Sequence, residues 1–468
     1  MTFGRKLVLR RGGISMIGRF VYMGQKNQKK TTRILEEAER VKVHVNGLCI
    51  LNSCDRPSLA REFVDTEEFQ RLRDLKQLGL TYLVFPGAVH TRFEHSLGVY
   101  RLAGEAMNNL QKYQGNELGI DRIDVQTVKL AGLLHDIGHG PFSHLFEHEF
   151  LPRVHPGSTW SHEHMSALLL DSIVDKHAID IEPDYLKVIK EMIVASSDVS
   201  TAEGVKEKRF LYDIVANGRN GIDVDKFDYI DRDCRACGIG SNFQHWRLLE
   251  DLSIHKLFTT RADLHRTVYT HAKVKAVELM LVDALVEANE YLGISLHADD
   301  PEDFWKLDDT IVKSIETAPN DELKKAKEII QRIRRRELYK FCNQYSVPKD
   351  KLDHFKNITA QDIVCSQITS KVLLKEEDVA VSNVKIDLTR GKDNPLESIK
   401  FFKVFTNPSL YLGYVWWQWS KDRIVRVYAK KPELVEAVSE AFENLQLRMY
   451  GEKTQVHDTP TKKKRRFN

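Results

Sequence analysis

Apolar residues recur at helical spacing through most of residues 65–289. In residues 123–138 they repeat at steps of three, with further apolar residues beside them, as expected for a helix with one buried face. Asp121 and Asp124 lie where carboxylates stabilise a helix N-terminus, and the Gly140–Pro141 pair predicts the end of the helix. The pattern therefore predicts a helical body for this part of the chain.

The hydrophobic pattern changes toward the C-terminus, after about residue 360. Before that point, residues 274–291 and 321–341 have a strong helical period. After it, short β-branched runs at 378–386 and 424–428 are typical of strands. A further helix is predicted over residues 432–447. We therefore predict a mainly α protein, with a helical core and a smaller α+β C-terminal lobe.

The composition of the 468-residue chain is that of an ordinary globular protein, with 42% hydrophobic and 29% charged residues. No run of 18 or more apolar residues occurs, so we expect no membrane-spanning helix. Six cysteines are too few for a disulfide framework and fit a reducing compartment. Cys234 and Cys237 form a CxxC pair, but a structural zinc site of this type needs a second pair, which the sequence lacks.

The net charge of +3 conceals an uneven distribution. Residues 1–35 contain nine Lys or Arg and residues 460–468 contain five, with no acidic residue in either segment; without them, residues 36–459 carry about −11. An acidic body is not a general surface for nucleic acid, because phosphate binding requires clustered positive charge. Anionic ligands of the body must therefore be held by local basic side chains.

The pair His135 and Asp136 lies in an apolar helical run and is the first candidate for chemistry. A buried ionisable pair needs a partner, because burying unpaired charge is costly. Adjacent helical residues point about 100° apart, so both reach one ion only if it lies over the seam between them. Other helices must supply the remaining ligands, and His95 and Asp225 are the natural candidates. Two imidazoles and two carboxylates leave positions open on an octahedral ion for water or a phosphate oxygen.

Histidines are concentrated around this pair. A single helical histidine more often serves packing or lies on the surface, and that interpretation suits any one of them alone. Seven of the 18 histidines, however, fall within 30 residues, which a solvated helix does not require. They are His135, His139, His144, His148, His155, His162 and His164. This density favours a functional site, with His139 one helical turn after His135.

The pattern of a histidine, a His-Asp pair and a distant aspartate resembles the HD phosphohydrolase superfamily. Longer segments resemble one branch of it, the SAM and HD domain-containing deoxynucleoside triphosphate triphosphohydrolases. The matching segments are DT at 65–66, FQRLR at 69–73, KQLG at 76–79, VFPGA at 84–88, RFEHSLGV at 92–99, HDIGHGPFSH at 135–144 and NGIDVDK at 220–226. The resemblance covers about residues 65–447. The stretch before residue 65 is short and lacks the SAM pattern, so we expect no SAM domain.

The resemblance implies an HD-domain helical core that hydrolyses a dNTP to the deoxynucleoside and inorganic triphosphate at one divalent metal ion. The implied ligands are His95, His135, Asp136 and Asp225. Mixed histidine and carboxylate ligation does not distinguish Fe, Mn, Zn, Co or Mg.

The same resemblance implies residues for proton transfer and substrate binding. His139, His144 and His162 would handle protons and the α-phosphate, where a pKa near neutrality is useful, and Glu147 would orient a histidine. Eight further positions correspond to substrate contacts: Arg92, Lys226 and Arg261 on the phosphates, Gln77 and Asp233 on the 3′-hydroxyl, and Leu78, Tyr229 and Tyr269 around the sugar. Taken singly, the three cations are better explained as surface charge; inside the matched segments, phosphate binding is favoured.

A second implied site binds a guanine nucleotide and drives assembly of a homo-oligomer, from dimer to tetramer. Its residues here are Asp65, Gln70, Arg73, Phe93 and Arg247, with GTP and dNTPs as the expected activators. Residues 41–48 keep little of the family pattern, and only a short segment separates Arg247 from Arg261. Thr267 and Thr270 stand where the family has Arg and Gln. We therefore predict an intact catalytic set and impaired regulation.

Three functional interpretations stay open at this point. The complete metal quartet favours an active dNTP triphosphohydrolase. The basic tails and altered regulatory residues would suit a catalytically weak member that binds single-stranded nucleic acid or a partner protein. A different HD phosphohydrolase, such as a nucleotidase or a cyclic-nucleotide phosphodiesterase, is disfavoured by Gln77, Tyr229, Asp233 and Tyr269.

The charge distribution also predicts domain limits and location. We predict a basic, disordered segment over residues 1–40, the HD phosphohydrolase domain over 41–290, the helical and α+β lobe over 291–450, and a disordered basic tail over 451–468. Five consecutive cations at 462–466 are typical of an exposed nuclear import signal, of a non-specific nucleic-acid anchor or of a solubilising tail, and we favour the import signal. We expect the nucleus; the alternatives are the cytoplasm and, because of the basic N-terminal segment, the mitochondrion.

Overall fold

The computed structural model describes residues 59–195, 208–240, 251–348, 351–352, 355–368, 372–386 and 422–451. These residues form two compact units. The first comprises the described residues within 59–264 and 292–314, and the second those within 265–291, 315–386 and 422–451. The predicted N-terminal segment, the tail beyond residue 451 and Arg247 lie outside the described residues.

Helices account for most of the described chain, and the predicted mainly α fold is confirmed. In chain order they are α1 (Leu59–Val64), α2 (Glu67–Gln70), α3 (Arg92–Leu118), α4 (Arg122–Leu134), α5 (Leu151–Val154), α6 (His162–His177), α7 (Pro183–Val194), α8 (Tyr212–Val215), α9 (Val224–Ala236), α10 (Asp251–Leu264), α11 (Ala272–Leu292), α12 (Ile294–Asp299), α13 (Ile311–Thr317), α14 (Lys324–Arg334), α15 (Ala360–Val364) and α16 (Val435–Tyr450). Short 3₁₀ or π segments adjoin several of them, including the π-helical turn Phe146–Phe150. Among the described helices, none is long and apolar enough to cross a membrane.

Helices α3 and α4 pack closely in the first unit. Helix α3 buries residues at intervals of three and four, among them Val99, Ala103 and Met107, as an amphipathic helix does. Gly132 of α4 lies against Val99 and Ala103, and a β-carbon at this glycine would come within 3.3 Å of both side chains. This contact brings the ring of His95 on α3 within 5.2 Å of His135 after α4, measured between ring centroids.

The N-terminus of α4 is capped as the sequence predicts. The Asp121 carboxylate accepts hydrogen bonds from the backbone N–H groups of Ile123 and Asp124, and the Asp124 carboxylate accepts one from the backbone N–H of Asp121. This reciprocal arrangement satisfies donors that have no partner inside the helix.

The second unit contains a three-stranded antiparallel sheet. Its strands are β1 (Lys340–Ser346), β2 (Val379–Ile386) and β3 (Asp422–Ala429), in the order β1-β3-β2. Helix α16 packs on the sheet, and their common core includes Val425, Val427, Val438 and Phe442. Both strands predicted from β-branched runs are present, so the small α+β lobe is confirmed.

Strand β1 corrects the helix predicted over residues 321–341. Helix α14 ends at Arg334, and Arg336 has a positive backbone φ of 61°, which interrupts the helical path. Strand β1 is an edge strand with the polar sequence KFCNQYS and pairs with β3 alone in the described sheet. Because one side of an edge strand is not covered by another strand, its sequence lacks the continuous β-branched run of the other two.

Candidate metal centre and active site

The His135–Asp136 pair lies at the C-terminal end of α4, not within the helix as the sequence pattern predicts. Helix α4 ends at Leu134, and the next four residues form a turn. Ser166 of α6 holds this turn, because its hydroxyl donates to His135 O and accepts from Gly138 N. A β-carbon on Gly138 would lie 2.3 Å from Ser166 N. The turn thus depends on a contact with α6, which the local apolar period cannot reveal.

The four predicted ligands converge: His95 on α3, His135 and Asp136 after α4, and Asp225 on α9. His95 Nε2 lies 3.1 Å from Asp225 Oδ1 and 3.4 Å from Asp136 Oδ2. His135 Nε2 lies 3.4 Å from Asp136 Oδ1 and 3.6 Å from Asp225 Oδ1. Ligands bound to one ion at about 2.0–2.2 Å stand roughly 3.0–3.5 Å apart. The separations of His95, His135 and Asp225 therefore fit a common cation, and Asp136 faces each of the two imidazoles with a different oxygen.

Each of the two imidazoles is oriented through its other ring nitrogen. His95 Nδ1 lies 2.8 Å from Asp228 Oδ2, and His135 Nδ1 lies 2.9 Å from Gly132 O. Because both partners are acceptors, each Nδ1 carries the proton and each Nε2 presents a lone pair to the site. Asp228 is held in turn by Nε and Nη2 of Arg232, both at 2.8 Å.

The interior of this site requires positive charge. Within the described residues, the buried Nε2 atoms of His95 and His135 make no hydrogen bond, which is costly unless a ligand satisfies them. Burial lowers the pKa of His95, but the neighbouring carboxylates of Asp225 and Asp228 outweigh it and raise the pKa to about 9. The Asp225 side chain stays 27% exposed and marks the side that solvent reaches. This donor set fits a divalent cation.

A second group of polar side chains adjoins the ligands. His139 Nε2 lies 3.4 Å from Asp136 Oδ1. The His139 ring stacks on His162 with centroids 3.9 Å apart, and His144 meets the two rings edge-on at 5.0 and 5.4 Å. Glu147 Oε2 accepts a hydrogen bond from His162 Nδ1 at 2.8 Å and lies 3.7 Å from His144 Nδ1. The structure therefore brings the three predicted proton-transfer histidines and the predicted orienting carboxylate together.

The surroundings give these histidines different protonation properties. Burial and the nearby Arg92 charge hold the pKa of His139 well below its usual value, so its ring is neutral at physiological pH. Burial also lowers the pKa of His162, but the hydrogen bond to Glu147 outweighs it and raises this pKa. Although burial disfavours a charged Glu147, His144 and His162 hold its carboxyl pKa well below the usual range. The His144 side chain is 57% exposed, so solvent reaches it most easily.

The loop that leads to His144 contains two residues in an unfavourable conformation. Phe142 and Ser143 have backbone φ angles of 61° and 58°, in the left-handed region that residues with side chains rarely adopt. Asp309 anchors the loop, because its oxygens accept hydrogen bonds from Phe142 N at 2.7 Å and Lys76 N at 3.0 Å. Burial raises the pKa of the Asp309 carboxyl to about 6.

Arg92 is buried between this loop and the metal ligands. Its Nη1 donates a hydrogen bond to Asp136, and its Nε donates to Ser143 Oγ at 3.0 Å. Its Nη2 lies 3.4 Å from Gln77 O. In this structure Arg92 therefore orients a metal ligand and the loop, and its contact with a substrate phosphate stays a prediction.

The two other predicted phosphate-binding cations are also engaged. Lys226 Nζ donates to both carboxylate oxygens of Asp223, at 3.0 and 3.2 Å, and is buried. Arg261 Nε donates to the Tyr229 hydroxyl at 3.1 Å. A phosphate would therefore meet cations that already have oriented partners in the fold.

The predicted sugar-binding residues are distributed over both units. Gln77 and Asp233 are buried in the first unit, where Asp233 Oδ1 lies 2.7 Å from His90 Nε2. Leu78 is half-buried beside Gln77. Tyr269 belongs to the second unit, in the π-helical turn His265–Tyr269.

Four of the predicted nucleotide-regulation residues, Asp65, Gln70, Arg73 and Phe93, are described, and they lie in the first unit. Three of them form what we name the Arg73 cluster: the Arg73 guanidinium lies 3.5 Å from the Phe93 ring centroid, and Arg73 Nε donates to Gln70 Oε1 at 2.7 Å. Asp65 is exposed and pairs with Arg61. The structure thus brings Gln70, Arg73 and Phe93 into contact.

Several side chains that fix the site carry no evident signal in the sequence pattern. Each binds a site residue from a distant element: Asp228, Asp309, His90 and Ser166. One available clue is the four-residue spacing of Asp228 and Arg232, which form an ion pair on α9. Another is Gly98, because a β-carbon there would lie 2.0 Å from Asp228 Oδ1.

The helical scaffold and the buried quartet define an HD-domain protein. The profile described as "HD domain" matches residues 92–233, and that described as "HD associated region" matches residues 253–393. The deoxynucleoside triphosphate triphosphohydrolase SAMHD1 homolog of Dictyostelium discoideum is 37% identical over 412 residues, which cover 83% of this chain and 78% of that protein. The chain belongs to the SAMHD1 family, and the resemblance inferred from the motifs is confirmed.

Two vertebrate proteins show the same relationship. Deoxynucleoside triphosphate triphosphohydrolase SAMHD1 of Gallus gallus is 36% identical over 449 residues, covering 82% of this chain and 72% of the relative. The Homo sapiens protein of the same name is 32% identical over 474 residues, covering 88% of this chain and 75% of the relative. The similarity therefore extends well beyond the HD motif itself.

Proposed function

We propose that this chain is a metal-dependent hydrolase that converts a dNTP to the deoxynucleoside and inorganic triphosphate. The observation that carries the proposal is the contact between two groups of side chains. The quartet of metal ligands meets the histidine group through Asp136, whose Oδ1 lies 3.4 Å from His139 Nε2. The family relatives carry the name deoxynucleoside triphosphate triphosphohydrolase, which agrees with chemistry at a phosphate.

The protein holds the ligands in position through fixed neighbours. Asp228 and the Gly132 carbonyl set the two imidazoles, and Arg92 sets Asp136. A bound divalent cation would neutralise phosphate charge and lower the pKa of a water molecule. Fe, Mn, Zn, Co and Mg all suit this mixture of ligands, so the metal identity stays open.

The reaction requires two proton movements. A bond forms between a water oxygen and the α-phosphorus, the bond to the sugar 5′ oxygen breaks, and that oxygen takes up a proton. His144 is placed to give this proton from Nε2, because its Nδ1 faces Glu147. Neutral His139, whose ring nitrogens have no hydrogen-bond partner within the described residues, can accept a hydrogen bond from the attacking water, whose proton passes to solvent, and His162, whose pKa Glu147 raises, offers positive charge to the α-phosphate.

Recognition of the sugar is the finer part of the proposal. Gln77 Oε1 is buried and, within the described residues, has no hydrogen-bond partner, so it can accept from the 3′-hydroxyl. Asp233, oriented by His90, offers a second acceptor. Tyr229 and Leu78 of the first unit would pack the sugar and leave no room for a 2′-hydroxyl.

The test is incubation of the purified chain with dGTP and Mn²⁺, followed by measurement of deoxyguanosine and inorganic triphosphate. We expect equal amounts of both. Asp225→Asn should abolish product, whereas Asp231→Asn, an exposed carboxylate on the same helix, should change the rate by no more than about twofold. Pyrophosphate or orthophosphate as the product would indicate another HD phosphohydrolase. No product from metal-loaded protein would favour a binding protein for single-stranded nucleic acid.

Regulation by GTP and dNTPs, with assembly into a homotetramer, is a further part of the proposal. The Arg73 cluster supplies an aromatic ring, a cation and an amide, the groups that a guanine nucleotide could contact. The altered residues at 41–48, Thr267 and Thr270 should weaken assembly. Sedimentation with GTP plus dATP tests this; a tight tetramer at low micromolar nucleotide would contradict the expected weakening.

Nuclear location rests on the basic run at residues 462–466. Fluorescent fusions of the whole chain and of a chain ending at Pro460 test it. We expect the truncation to remove the nuclear signal. A nuclear signal unaffected by truncation would exclude the tail as its cause, and a mitochondrial pattern would contradict the proposal.

A further inference from the structure

A second set of metal-ligating side chains lies outside the quartet. His144, Glu147 and His148 each place a ligand atom within 4.8 Å of the others. The imidazoles of His144 and His148 are stacked, with centroids 5.4 Å apart and planes inclined by 7°. Both histidines are exposed, whereas Glu147 is mostly buried. We name this group the rim triad.

Local backbone structure explains why the rim triad is aligned. His144 begins the helical segment that continues into the π-helical turn Phe146–Phe150. Side chains four residues apart on a helix lie on the same face, and a carboxylate at the third position lies beside them. In a His-x-x-Glu-His spacing on a helix the two histidines can hold zinc, with the glutamate beside the ion. π-helical turns are rare and frequently mark functional sites.

We propose that the rim triad is a second divalent-metal site, separate from the quartet, that takes Zn²⁺ or a similar borderline-soft ion. Zinc binds imidazole nitrogen and carboxylate oxygen at about 2.0–2.2 Å, usually with four ligands, so the triad leaves one position for water. Ligands of such an ion stand roughly 3.4 Å apart. Both imidazoles lie at the solvent-exposed surface, and zinc binding would require their side chains to rotate to that separation.

The neighbouring histidine group is a weaker candidate for this ion. His139, His144 and His162 also lie within 4.8 Å of one another. However, His139 is buried beside the Arg92 guanidinium, whose charge already lowers the His139 pKa and disfavours a further cation. Glu147, in contrast, contributes a negative charge to the rim triad.

Zinc bound at the rim triad should inhibit the hydrolase activity proposed above, and this part of the inference rests on that activity. Zinc on His144 takes a nitrogen lone pair and prevents the ring from carrying a proton to the 5′ oxygen. It also binds the carboxylate of Glu147, whose Oε2 lies 2.8 Å from His162 Nδ1 and orients that ring. Zinc at the rim therefore inhibits hydrolysis without displacing the ion of the quartet.

The test compares the metal-loaded full chain with two variants, His148→Asn and His155→Asn. His155 is an exposed histidine outside the triad and serves as the matched control. After dialysis against Zn²⁺, elemental analysis should find one more zinc per chain in the wild type and the control than in His148→Asn. Titration calorimetry should show that His148→Asn weakens this binding by at least about 100-fold, since a direct ligand is lost.

Activity supplies an independent readout. Zinc should inhibit triphosphate release by the wild type and by His155→Asn, while His148→Asn keeps its basal rate and resists inhibition. Equal zinc content in His148→Asn and the wild type would overturn the proposal and direct attention to His139 and His162. If no triphosphate is released by any protein, the proposed hydrolase fails, while the zinc content still decides the rim triad.

Discussion

The metal centre and the Arg73 cluster are both polar groups of the first unit, but the fold holds them differently. At the metal centre His95 and Asp136 are buried, and each has a second partner, Asp228 for one and Arg92 for the other. In the Arg73 cluster the arginine is exposed and rests on one ring and one amide.

This difference indicates how each group functions. Buried charges need partners supplied in advance by the fold, so the metal centre is organised before its ion binds. Exposed polar groups lose little when unpaired, so the Arg73 cluster can exchange its contacts for those of a ligand. Substitutions of the residues that orient the metal ligands should therefore reduce metal affinity and stability together, whereas those in the Arg73 cluster should affect ligand response, with only a small loss of stability and no loss of metal.

The largest effect is expected from Gly98→Ala. The added β-carbon would lie 2.0 Å from Asp228 Oδ1 and 2.6 Å from Arg232 Nη2, so the pair that orients His95 must shift. We expect a loss of about 3 kcal/mol in the free energy of unfolding, together with reduced metal content. Gly115→Ala, on the same helix, is the control and should be neutral or stabilising. Equal denaturation midpoints for the two variants would show that the Asp228–Arg232 pair can shift without loss of stability.

The pH dependence of stability tests the support given by Asp309. Its folded-state pKa of about 6 lies above the ordinary aspartate pKa of 3.8, so the folded state binds this proton more tightly than the unfolded state. The resulting stability is fully present below pH 3.8 and is lost as pH rises through 6, a change of about 3 kcal/mol.

Asp309→Asn removes this titration. The unfolding free energy of the wild type should therefore fall relative to that of the variant between pH 4 and pH 7, measured by urea denaturation at each pH. A constant difference between the two proteins across that range would mean that Asp309 does not titrate as its burial implies.

A smaller effect is expected from Asp228→Asn. The amide can no longer hold His95 through a charged acceptor, so affinity for the quartet metal should fall about 10–100-fold. Competition with a metal-ion chelator measures this loss. Asp231→Asn, exposed on the same helix, should leave affinity unchanged. Unaltered metal affinity in Asp228→Asn would show that the hydrogen bond between His95 and a charged Asp228 does not contribute to metal binding.

The smallest structural effect should come from Arg73→Ala. Loss of an exposed cation–π contact costs about 0.5–1 kcal/mol, and metal content should stay the same. Any GTP stimulation of hydrolysis should be lost. If Arg73→Ala instead lowers the metal content measured by elemental analysis, the two groups are coupled and the contrast between them fails.

The helices and the metal ligands can be predicted from the sequence more readily than the contacts that position them. The apolar period predicts α11 and α16 closely, and the motifs select His95 and Asp225, which the fold does bring beside His135. The end of α4 at Leu134 depends on Ser166, which lies 32 residues away in the chain, so a local period cannot show it. Asp309 is still more distant from the loop that it anchors.

Strand β1 shows a different limit. Five residues separate its polar sequence from the end of a basic helix, and edge strands commonly carry polar side chains. The pairing partner that defines it, β3, begins at Asp422, about 80 residues later. Such long-range pairing leaves no signature in a short window of sequence, which is why the helical pattern extends falsely to residue 341.

The most direct test of the central claim is the metal content of a double variant. His135→Ala combined with Asp136→Ala removes two of the four ligands. We expect the purified variant to keep its helical circular dichroism and cooperative melting but to contain no stoichiometric metal and to release no triphosphate from dGTP. Retention of one metal ion per chain by the folded double variant, measured by elemental analysis, would contradict the assignment of the quartet.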